Sequence, residues 1–122
     1  MRFLSMIRID EKAGQRPTER LMTEMGKLME EATREGWLVS TAGLRPTVEG
    51  KRMRWNRGKL TTTDGPFTES KEVIGGWAIL NAASKADATR IAKEFMELHR
   101  KHWPEFEGES EVRPMFDPGM GP

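Results

Sequence analysis

A chain of 122 residues and 13.9 kDa has the length of one domain and enough surface to bury for a core without covalent staples. It contains no Cys, which excludes disulfide frameworks, Cys-ligated zinc, iron–sulfur clusters and thiol catalysis. Twenty Lys plus Arg against nineteen Asp plus Glu leave a formal charge of +1, without the overall basicity of a nucleic-acid-binding domain.

Residues 2–9 predict a strand with Phe3, Ile7 and Ile9 on one face and Leu4 and Met6 on the other. Apolar side chains on both faces predict a central strand covered on two sides. Arg8 cuts this apolar run too early for a signal-peptide core. No stretch approaches the roughly 18 apolar residues that span a bilayer, so a cytoplasmic protein is expected. Residues 10–17 read as a loop. Thr18 caps a helix from Glu19 whose buried stripe is Leu21, Met25, Leu28 and Ala32, widened by Met22 and Met29, with Gly36 as its stop.

Residues 37–45 read as a second strand ended by Pro46. Residues 51–63 form a β-hairpin turning at Asn56-Arg57-Gly58-Lys59, with Met53 and Trp55 expected to point to the core. Asp64-Gly65-Pro66-Phe67 is a turn built of residues with special backbone preferences. Residues 73–82 form a strand with Val73, Gly75, Trp77, Ile79 and Asn81 on one face and Ile74, Gly76, Ala78, Leu80 and Ala82 on the other. The Gly75-Gly76 pair signals a bulge or a close backbone approach. Ser84 and Asp87 start a second helix with Ala88, Ile91, Ala92, Phe95, Leu98 and His102 as its buried stripe, ended by Pro104. Residues 111–116 are a last strand and 117–122 a flexible tail.

Without the inserted hairpin the order is βαββαβ, the ferredoxin-like α+β pattern, in a single domain over residues 1–116. Both helices then cover one sheet face. The other is left bare, with Trp77 or Ile79 on it, and a homodimer packing sheet against sheet is its simplest cover.

Asp64 is the candidate catalytic residue: a carboxylate beside Gly65 and Pro66 has little bulk around it, and could act as a general base or bind a cation. The alternative is that it bonds turn amides. Glu69, Lys71 and Glu72 follow, and Lys71 could orient an anion or remain part of a solvated charge run. Arg8, Arg45 and Arg113 lie in or beside apolar strands. They either line an anion pocket with Trp77 or pair with carboxylates such as Asp10 or Glu111. His99 and His102 share a helix face, but without a third ligand they make a helix-end pair rather than a metal site. No metal or cofactor is expected. Lys51, Arg52, Arg54, Arg57 and Lys59 surround Trp55 on the hairpin, a pattern open to phosphate pairing and base stacking.

The run Thr63-Asp64-Gly65-Pro66-Phe67-Thr68-Glu69-Ser70-Lys71-Glu72, then Gly75-Gly76-Trp77, then Glu111-Val112-Arg113-Pro114, closely resembles the DGPF-motif branch of the YCII-related family, over nearly the whole chain to Phe116. The resemblance implies a dimeric α+β barrel of ferredoxin-like protomers. Some YCII-related proteins look like enzymes with a His–Asp pair, one of them a dehydrochlorinase. The pair's His belongs on the first helix, where this chain has Met25 and no His before His99, so the pair does not carry over. Other DGPF-motif proteins resemble accessory partners of extracytoplasmic-function sigma factors, an association implied by resemblance alone.

Three readings follow. The leading one is a homodimeric small-ligand-binding or regulatory accessory module, its ligand small and anionic. The alternative is a lyase- or isomerase-type enzyme with Asp64 as acid/base. The third is nucleic-acid binding by the 51–59 hairpin.

Overall fold

The structure, a computed structural model, describes residues 1–67 and 71–116. Strand β1 spans Arg2–Ile9, helix α1 Glu19–Glu35, β2 Leu38–Gly43, β3 Lys51–Asn56, β4 Lys59–Asp64, β5 Val73–Asn81, helix α2 Lys85–His102 and β6 Glu109–Pro114. Short 3-10 turns lie at Glu11–Ala13 and Thr47–Glu49. Residue 69 and the expected tail at 117–122 lie outside the described residues.

Local chemistry sets the helix ends. The Thr18 hydroxyl accepts the Leu21 amide at 3.1 Å and donates to the His102 carbonyl at 2.6 Å, so one side chain caps α1 and ties it to the end of α2. Gly36 closes α1 at φ 86°, a left-handed conformation that favours Gly, and its amide returns to the Ala32 carbonyl. Ser84 caps α2 by accepting the Asp87 amide at 3.2 Å.

The main sheet runs β2-β5-β1-β6, and all its neighbours are antiparallel. This is the ferredoxin-like order, with β1 central as its apolar sequence predicts. Phe3 lies opposite Leu80, and both pack with Ala88 of α2, so the helices cover the face that carries Phe3, Ala78, Leu80 and Val112. Phe3 and Leu21 are fully buried, and each such side chain contributes about 1.5–3 kcal/mol. No helix covers the opposite face among the described residues, where Leu4 faces Ile79 and Met6 faces Trp77.

Four expectations change. The 51–64 hairpin is a separate two-stranded sheet, and Met53 and Trp55 do not reach the core; they are 67% and 72% exposed. Its turn is as expected, with Arg57 and Gly58 both at positive φ. In β5 the bulge that Gly75-Gly76 signals falls at Gly75, where the register shifts between Ile7 and Arg8 and Arg8 comes to face Ile74. The bulge turns Ile74 onto the open face with Trp77. In α1, Met22 is exposed, which narrows the buried stripe to its Leu21–Ala32 side. In α2, His99 is buried and His102 is only partly so, because the chain past Trp103 folds back and packs Phe106 on the His99 ring.

Candidate functional site

The sequence candidates separate into two groups. The first lies at the base of the hairpin. Asp64 ends β4 opposite Lys51, and their charged groups pair at 3.2 Å with side-chain exposures of 75% and 66%. A pair this exposed contributes little to stability, and Asp64 faces solvent rather than a cleft. Arg45 holds Glu49 through two contacts, at 2.9 and 3.1 Å, and is itself exposed. Lys71 and Glu72 are exposed.

What the Asp64–Phe67 turn does visibly is pack. Its Gly65–Pro66 bond is cis. The Gly65 amide donates to the Gly50 carbonyl at 3.0 Å. A Cβ on Gly65 would sit 1.6 Å from the Thr47 carbonyl oxygen, so only Gly fits. Phe67 is buried, with the Arg52 guanidinium 3.9 Å above its ring, a cation–π arrangement. From the other side, the Glu11 carboxylate accepts both the amide and the hydroxyl of Thr47. Glu11, Thr47 and Gly65 thus fasten the hairpin base to the end of β1. Glu11 and Thr47 give no sign of this role in the sequence: they are 36 residues apart, and no local pattern links them.

The second group lies on the open sheet face. Trp77, Met6 and Glu111 form one row across β5, β1 and β6. Arg8 reaches Glu111 at 3.1 Å and Arg113 approaches it at 4.0 Å. Glu109 lies opposite Arg8 on the same face, so Arg8, Arg113, Glu109 and Glu111 form a charged strip beside Leu4, Met6, Trp77 and Ile79. The structure therefore brings together Arg8, Trp77 and Arg113, with Glu111 between the arginines, and sets Arg45, Asp64 and Lys71 apart from them.

The histidines are each engaged separately. The His99 ring bonds the Phe95 carbonyl through Nδ1 at 2.9 Å and packs against Phe95, Trp103 and Phe106. Burial pushes its pKa below the usual 6.5, opposed by the Phe95 bond. His102 accepts the Arg20 Nε–H at 3.1 Å. Among the described residues no group of three or more acidic, His or Cys side chains could hold a metal. No helix there is long and apolar enough to cross a membrane.

Fold and surface together define a ferredoxin-like α+β protein with one sheet face uncovered and an Arg–Glu–Arg row along it. The YCII-related domain matches residues 1–98, and the chain belongs to that family. It is also similar to the uncharacterised protein R00369 of Rhizobium meliloti (strain 1021), with 29% identity over 106 residues, which cover 85% of this chain and 82% of the relative.

Proposed function

We propose that this chain is a homodimeric binding module whose two sheets pack face to face and enclose a site for a small anionic ligand. One observation carries the reading: the sheet face that no described helix covers holds Leu4, Trp77 and Ile79, partly exposed around a buried Met6, with Ile74 38% exposed beside them and Arg8 and Arg113 converging on one carboxylate. An apolar surface of this kind favours a partner, and a two-fold dimer supplies one from the same chain. Once covered, Arg8 and Arg113 would lie in a shielded space, where a guanidinium attracts an anion more strongly than it does in water.

The test is light scattering coupled to gel filtration, then thermal shift with inorganic phosphate and small carboxylates. The expected result is a mass of twice 13.9 kDa and an anion-dependent stabilisation that Arg8→Gln and Arg113→Gln abolish. A monomer at tens of micromolar overturns the dimer. Turnover of any metabolite that is lost in Asp64→Asn overturns the non-catalytic reading.

A further inference from the structure

We infer that the β3–β4 hairpin is an intermolecular clasp that lies against residues 105–111 of a second copy of this chain; the inference rests on the sheet-to-sheet dimer proposed above. Among the described residues its own protomer holds the base of the hairpin but leaves one face of its arms bare. A two-stranded sheet is marginal in water, and this one exposes an apolar face. Trp55 lies opposite Leu60, and Met53 lies on the same side, at 72%, 51% and 67% exposure. Met and Leu are poor stacking partners for bases, so this face fits protein better than nucleic acid.

Charge selects the surface. The hairpin carries Lys51, Arg52, Arg54, Arg57 and Lys59 against one acid, Asp64. Residues 105–111 carry Glu105, Glu107, Glu109 and Glu111 and no base. That segment is already held in shape, because the Gln15 side chain donates to the Glu107 carbonyl at 2.9 Å and accepts the Glu107 amide at 2.8 Å.

Topology supplies the position. The hairpin leaves the sheet where β2 ends and β5 begins, and residues 105–108 lead into β6 at that same end, where Arg8 faces Glu109. But β2 and β6 are opposite edges of the sheet, about 14 Å apart at the usual strand spacing. Stacking two copies face to face about an axis parallel to the strands reverses left and right and keeps the strand direction. Each β2 edge then lies over the partner's β6 edge, and each hairpin beside the partner's acidic segment. Arms of six residues reach about 20 Å, enough to cross that edge.

The test measures the dimer dissociation constant by sedimentation for Arg57→Glu/Lys59→Glu, for Glu107→Lys/Glu109→Lys, and for the four changes combined. All four sites are exposed, and circular dichroism checks their folding. Each pair is expected to weaken the dimer at least about tenfold, or 1.4 kcal/mol, and the combination to restore it. In the Cys-free background, mixing Lys59→Cys with Glu107→Cys should give an oxidised cross-linked dimer. If both pairs leave the constant unchanged and no cross-link forms while Ile79→Lys dissociates the dimer, the clasp fails and the sheet interface stands. A monomeric wild type overturns both. A labelled single strand shifted by the wild type and not by Arg57→Glu/Lys59→Glu, with dimerisation unaffected, overturns the clasp in favour of nucleic acid.

Discussion

Gly65→Ala tests how the Asp64–Phe67 turn is held. The added Cβ would meet the Thr47 carbonyl oxygen at 1.6 Å and its carbon at 2.6 Å, both backbone atoms that no rotamer change can move aside. Residue 47 must retreat by about 1.5–2 Å to reach ordinary contact. The movement strains three anchored contacts: Gly65 amide to Gly50 carbonyl at 3.0 Å, Gly50 amide to Thr47 carbonyl at 2.9 Å, and Thr47 amide to Glu11 at 3.1 Å. Overpacking costs about 1–3 kcal/mol, and each lost hydrogen bond about 0.5–1.5 kcal/mol. A total loss of about 2–5 kcal/mol is expected, a large share of a typical domain's stability. Gly50→Ala is the control. It sits in the same turn at φ −104°, and its Cβ would meet the same Thr47 oxygen at 3.4 Å, where a shift of a few tenths of an ångström suffices. It should stay within about 0.5 kcal/mol of wild type, helped by reduced freedom in the unfolded chain. Urea unfolding of both variants decides. Equal midpoints would refute the close-approach argument.

Burial lowers the His99 pKa, so folding favours its neutral form. Its contribution is fully present above the unfolded value near 6.5 and is lost as pH falls through the lower folded value. Urea midpoints should drop from pH 7.5 to 5, and His99→Phe should flatten that drop; an unchanged slope in the variant would count against it. Thr18→Ala removes both the α1 cap and the bond to His102, and should cost about 1–2.5 kcal/mol in thermal or urea unfolding. Gly75→Ala brings a Cβ to 2.8 Å from the Ile9 Cδ1, a movable side-chain end, so its cost in the same assay should stay below about 1.5 kcal/mol, well under that of Gly65→Ala. Ser110→Ala removes a buried hydroxyl that has no partner among the described residues and should raise stability by about 1 kcal/mol in the same assay.

Much of the fold is legible in the sequence because its signals are local. Thr18 and Gly36 bound α1, and Ser84 starts α2, through side-chain and backbone bonds made within a few residues. The apolar run of β1 marks a central strand. The candidate surface was legible only as a set of residue types. Arg8 and Arg113 stood out as arginines in strands with Glu111 as a candidate partner, but that both meet it on the open face depends on register across β1 and β6.

Caps and periodicity, set by neighbours along the chain, determined by themselves a ferredoxin-like α+β pattern with an inserted hairpin. Tertiary structure alone decided the rest. Alternation along β3 cannot say whether a second layer lies over it; among the described residues none does, and Trp55 meets solvent. The Gly75-Gly76 pair signals a bulge, but only the pairing with β1 placed it at Gly75 and moved Ile74 to the open face. Glu11 and Thr47, which no local pattern joins, hold the Asp64-Gly65-Pro66-Phe67 turn in a packed joint at the hairpin base. Contacts between residues far apart in the chain depend on where whole elements come to rest, and one strand's side-chain pattern does not carry that information.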